Sequence, residues 1–286
     1  MSFPYERYET LAEPLTVYYP TGQDTLARWL FQLVDRASKL LAQLLYAPIP
    51  EMEILLVVPP DWDTTPQDEA EEGEAEEPNS LLPYWTDATE PPSLVVPTQI
   101  DPIIGSYSPE KLAFLVFHEL AHAFLEQDAR PWPLESPLWA DEWQLQFAAL
   151  WLFQQLYHTQ GIAMTDLHDQ YAELFEPEPD SKTPVTVRGF DWYEDTTPQD
   201  YLEYTLLLEQ FAADLLARYD ADILPRFLEQ YRKAGVVLLS DDVTNMLAAT
   251  LGEGGAEWLE ELVARPVRLL HRQLAPHIAT GGDDLG

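Results

Sequence analysis

The order of hydrophobic patterns predicts an α+β protein: a small N-terminal β-sheet lobe with helices, then a mostly helical C-terminal lobe, with one motif-bearing helix at the junction. Three observations carry this reading. Short runs rich in β-branched and apolar residues fall before residue 100: LTVYY at 15–19, EILLVV at 53–58 and SLVVPT at 93–98. Later apolar stretches are long and helical in period. The resulting order is strand, helix, strand, strand, helix, and then helices alone. The chain divides accordingly into a lobe over 1–130, a helical lobe over 131–275 and a flexible tail over 276–286.

Residues 24–46 form the first helix. Leu26, Trp29, Leu30, Leu33, Val34, Ala37, Leu40 and Leu41 recur at i, i+3, i+4, i+7, and Pro48 and Pro50 end the pattern. The continuous apolar run of 53–58 predicts a strand buried on both faces, stopped by Pro59 and Pro60. Composition then shifts. Residues 61–79, DWDTTPQDEAEEGEAEEPN, hold no Lys or Arg and read as the start of an acidic, disordered insertion reaching residue 92. Pro97 predicts that the strand at 93–98 is an edge. Ser108 as cap and Pro109 at the first helical position open the helix of 108–127. Further helices are expected at 138–157, across 201–234 with a break at Pro225, at 241–251 and at 257–274.

The formal net charge of −35 excludes partners that carry dense negative charge, so neither nucleic acid nor a membrane surface is expected. Cysteine is absent, which rules out thiolate metal sites and leaves His and carboxylates as ligands. The first fourteen residues contain charges and prolines but no apolar segment of the secretory kind, and a cytoplasmic location is the expectation.

The helix of 108–127 contains His118-Glu119-Leu120-Ala121-His122, an HExxH motif. Residues four apart share one helix face, so the two imidazoles can hold one metal ion while Glu119 acts on a water beside it. A chance occurrence in a chain of this composition has odds of roughly two percent. Catalytic Zn²⁺ takes three protein ligands and keeps one position open. Glu142 is the leading third ligand: it lies 20 residues after His122, on the next long helix, beyond the Pro-rich turn ARPWPLESP. Asp128, six residues after His122, is the runner-up, but no Gly turns the chain out of the helix there, and position 125 is Leu. Asp141 points about 100° around the helix from Glu142, and Glu135 is the remaining alternative.

FHELAHAF and PLWADEW resemble the two motifs of gluzincin-type metallopeptidases, the peptidase MA-like and thermolysin-like group, which carry HExxH on one helix and a ligand Glu on the next. The resemblance implies a zincin-like fold, Zn²⁺ on His118, His122 and Glu142, and Glu119 as general base in peptide hydrolysis. It also implies an oxyanion donor from the helical lobe: Tyr204 first, then Tyr201 and His158. The chain departs from that pattern at Trp143, where many members have Gly, and at Leu145 and Gln146, where a carboxylate commonly supports a ligand His. His168, His271 and His277 lie outside any ligand spacing and read as surface residues. The expected partner is a peptide or protein substrate. The competing reading is a weak or inactive peptidase-like zinc domain that acts as a protein-interaction module.

Overall fold

The computed structural model describes residues 3–12, 14–67, 80–171 and 201–264. It has an α+β architecture built on a five-stranded mixed sheet of order β1-β2-β3-β5-β4. β2 (Thr16–Pro20), β3 (Glu53–Val57) and β5 (Ser93–Pro97) run parallel at the centre. β1 (Tyr8–Leu11) and β4 (Tyr84–Thr86) are the antiparallel edges. Parallel neighbours need a crossover. Between β2 and β3 this is α1 (Asp24–Leu45), whose Leu30, Val34, Ala37 and Leu41 are fully buried.

β3 is buried along its whole length, as its apolar run predicts. Successive side chains leave opposite faces of a strand. Ile54 and Leu56 join the main core, while Leu55 and Val57 join a smaller cluster with Phe3, Tyr8, Trp62 and Val95. That second face is sealed by the N-terminal segment and by a short 3-10 turn, Pro59–Thr64. Tyr5 reaches Glu53 at 2.8 Å, and Arg7 and Tyr8 reach Asp61 at 2.8 and 3.1 Å.

Two expectations about this lobe are corrected. β5 is not an edge, because β4 pairs with it over Ser93, Leu94 and Val95. Pro97 is tolerated because it sits at the strand end, beyond the reach of the three-residue β4. The stretch read as a disordered insertion over 61–92 is partly built into the fold: Trp62 is buried in the turn, and residues 84–86 are β4 itself. Residues 68–79 lie outside the described residues.

The first lobe ends with α2 (Pro109–Glu126), which packs tightly on α3 (Leu138–Tyr157), the first helix of the second. α4 (Thr165–Gln170), α5 (Tyr201–Arg218), α6 (Ile223–Tyr231), α7 (Ser240–Leu251) and α8 (Gly255–Ala264) follow. One apolar core runs from the sheet through α1, α2 and α3 into α5–α8, so it crosses the boundary drawn at residue 130. The break in the 201–234 helical block falls at residues 219–222, ahead of Pro225. Pro225 instead occupies the first turn of α6, where its missing N–H costs nothing. Trp143 is buried near the start of α3 against Phe147, Phe211 and Phe227. That packing explains a large side chain where the resembled family often has Gly.

His168 is not a surface residue. It is fully buried, 3.0 Å from the equally buried Glu209, whose other carboxylate oxygen accepts from the Ala163 and Met164 amides. This buried contact ties α4 and the preceding loop to α5. His271 and His277 lie outside the described residues. Among the described residues, no helix is long and apolar enough to cross a membrane.

Candidate metal centre

α2 starts where the capping pattern predicts: Ser108 Oγ accepts from the Lys111 amide at 3.1 Å, with Pro109 as the first helical residue. From that start, His118 and His122 fall on one face, their ring centroids 5.2 Å apart. After α2 the chain turns through residues 127–137 and comes back as α3. The turn is held from both sides. Both carboxylate oxygens of Asp128 accept from the Arg130 guanidinium. The buried Arg232 donates to the carbonyls of Leu125 and Arg130 and lies over the Trp132 ring. Asp141 in the first turn of α3 accepts from Ser136 Oγ at 3.0 Å and from Tyr231 Oη at 2.8 Å. These contacts set the angle and register at which Glu142 faces α2.

Glu142 Oε2 then lies 3.8 Å from His118 Nε2. One ligand atom from each of His118, His122 and Glu142 falls within 4.8 Å of the other two, and this group could hold a metal ion. It is the only such trio among the described residues. A cavity of about 380 Å³ opens beside it, lined by His122, Leu125, Glu126, Trp132, Asp141, Glu142 and Leu145. The side chains of His118, His122 and Glu142 keep 15%, 30% and 24% of their surface, and of the three, His122 and Glu142 line the cavity.

The electrostatics match a cation hole. Burial pulls the His118 imidazole down to about 3, with His122 adding to the effect, so its ring is neutral and able to ligate. Burial also lowers His122, but the carboxylates of Glu126, Glu119 and Glu142 outweigh it and raise the group to about 9. Burial pushes Glu119 up to about 7, against the opposing pull of His122 and the Trp85 amide, and it raises Glu142 as well. Three carboxylates crowd two imidazoles in a partly dry cleft, a charge imbalance that a bound cation relieves. Two imidazoles and one carboxylate on two packed helices fit the donor set of a catalytic metal with an open position.

The other predicted residues fall elsewhere. Asp128 is engaged by Arg130 and lines a separate cavity with Pro48, Phe124 and Arg226. α2 runs on to Glu126, which is why the Asp128 carboxylate turns away from the histidines. Glu135 bridges to Val237. Tyr204 is buried on α5 and does not line the cavity beside His122. The Tyr201 side chain is outside the described residues, and His158 is the left-handed cap that ends α3.

Three contributors escaped the sequence reading. Trp85 on β4 donates its amide to Glu119 Oε2 at 3.0 Å and its indole Nε1–H to Glu126 Oε2 at 2.5 Å. Glu126 Oε1 lies 3.5 Å from His122 Nδ1. The Asp141–Tyr231 pair braces α3. The spacing His118, His122, Glu126 was a legible signal, since all three share one face of α2. Nothing in the isolated word YWT marks Trp85. Neither a protein-family model nor a curated protein sequence matches the chain.

Proposed function

We propose that this protein is a zinc-dependent metallopeptidase of gluzincin type. The observation that carries the proposal is the convergence of His118, His122 and Glu142 within 4.8 Å of one another, on the helix that carries Glu119 and the helix packed against it, beside a cavity lined by His122 and Glu142. Zn²⁺ is the favoured ion because two imidazoles and a carboxylate, with no thiolate in the chain, suit it over hard cations that prefer oxygen; His122, raised by its carboxylate neighbours, gives up its proton as the ion binds. When bound, the ion supplies Lewis acidity, acidifying a water and polarising the carbonyl to be attacked.

The chain's own residues supply the rest. Glu119 neighbours the first ligand, and its carboxylate, raised by burial, accepts the proton of the attacking water and returns it to the leaving amine. The Trp85 amide holds Oε2 of that carboxylate, which leaves Oε1 for the proton. Trp132 and Leu125 give the cleft an apolar wall that limits water around the reacting bond.

The competing reading, a zinc-binding interaction module, is favoured by one observation: buried Leu145 and Gln146 stand where a supporting carboxylate is expected on α3. A single experiment separates the two. The zinc-loaded protein is incubated with a complex peptide library, and new termini are read by mass spectrometry. Cleavage by the wild type that vanishes in Glu119→Gln, with zinc still bound, supports the peptidase. Zinc binding without cleavage by either protein overturns it in favour of the module.

A further inference from the structure

His122 and Glu126 are one turn apart on α2, and Glu126 Oε1 lies 3.5 Å from His122 Nδ1. A metal-bound imidazole is held by what its second nitrogen contacts; a carboxylate there fixes the tautomer, orients the ring and raises its basicity. With Nδ1 turned to Glu126, Nε2 is left for the ion. His118 has no such support: its Nδ1 is buried with no hydrogen-bond partner among the described residues. The orientation of the pair therefore depends on His122.

Glu126 alone would be a poor support. Its side chain is 44% exposed, at the last residue of a helix, and free to swing into water. What holds it is Trp85, 41 residues upstream on the edge strand β4. The indole Nε1–H takes Glu126 Oε2, which leaves Oε1 for His122. The Trp85 ring is itself buried in the main core and so is a rigid anchor. The same residue holds the Glu119 carboxylate through its backbone N–H.

We propose that Glu126 is the positioning residue for the ligand His122, and that Trp85 holds Glu126 in place, so that the edge strand sets the geometry of both the metal ligand and the base. This inference rests on the metal-site reading above.

The test is Zn²⁺ affinity by competition with a chromophoric chelator, for wild type, Glu126→Gln and Trp85→Phe. A Gln has one acceptor oxygen for two donors, so Glu126→Gln weakens zinc binding by roughly 10–100-fold. Trp85→Phe keeps the backbone amide, removes the indole donor and weakens binding by a smaller factor. Far-UV circular dichroism of the metal-free proteins checks folding. Because Glu126 is exposed, its variant keeps the test decisive even if the buried Trp85 position does not tolerate change. The second readout is the long-range ¹H–¹⁵N spectrum of the histidine rings in the zinc-loaded proteins. The His122 Nδ1–H resonance shifts in Glu126→Gln while the His118 resonances stay. Affinity within twofold of wild type and an unmoved His122 ring overturn the proposal alone. A wild-type protein that binds no zinc overturns it together with the metal-site reading.

Discussion

His118 Nε2 and Glu142 Oε2 face each other across the α2–α3 interface at 3.8 Å. The first comes from a motif visible in the sequence, the second from a helix whose register is set by Asp141, Tyr231 and Arg232. Metal binding to the folded state alone raises stability by about 2.7 kcal/mol at a hundredfold excess over the dissociation constant. Adding Zn²⁺ is therefore expected to raise the melting temperature of the wild type and of Asp128→Ala. In Glu142→Ala the upshift shrinks or disappears. Differential scanning calorimetry with and without zinc checks this, and an equal upshift in Glu142→Ala would remove Glu142 from the site.

Arg232 connects the end of α2 to the turn before α3 while almost entirely buried. Burial lowers its guanidinium to about 10, although Asp128 and Asp141 push the other way, so it remains charged at neutral pH. Arg232→Leu removes two charge-assisted bonds to carbonyls and the stack on Trp132. It should cost about 3 kcal/mol in urea unfolding and loosen zinc binding as well. A loss below about 1 kcal/mol would mean that the turn is held without it.

The His168–Glu209 pair predicts a purely structural effect. Glu209 is the shared partner of the buried His168 ring and the Ala163 and Met164 amides, so Glu209→Leu should lose about 3 kcal/mol. Zinc stoichiometry of the folded fraction should not change. Denaturant unfolding together with metal analysis distinguishes this from a role in the site.

Lys111 predicts a pH dependence. Its buried ammonium donates to Asp166 and to the carbonyls of Ile104 and Ser106. Gly105 lies so close that a Cβ there would meet Asp166 at 2.7 Å. Partial burial raises the Asp166 carboxyl, but the bond and charge of Lys111 outweigh it and hold the group below its ordinary value. A carboxylate depressed in the folded state stabilises at pH above its unfolded pKa of about 3.9, and loses that contribution as pH falls through the folded value. Stability of the wild type should thus fall on acidification more steeply than that of Lys111→Met below about pH 4. The difference is modest, because Asp166 is 42% exposed and screened.

Much of this molecule is written in local patterns. The strand at β3, the α1 stripe, the Ser108 cap and the HExxH face are short-range signals, and the structure has each of them. The misread parts depend on partners distant in sequence. β4 is three residues long and exists because β5 offers it a ladder. Trp62 is buried because the N-terminal segment and the sheet close over it. His168 looked solvent-exposed until Glu209, 41 residues away, was brought beside it. Within the site, spacing along one helix located the two histidines and Glu119. The contributions of Trp85 and Tyr231 depend on tertiary contacts with no local signature.

The most direct test of the central claim is the metal content of the purified protein after exposure to zinc and removal of the excess, measured by mass spectrometry beside the His118→Ala, His122→Ala and Glu142→Ala variants. About one zinc per chain in the wild type, lost in each of the three variants, is the expected result. A folded wild type that retains no zinc, or one whose zinc survives all three substitutions, would contradict it.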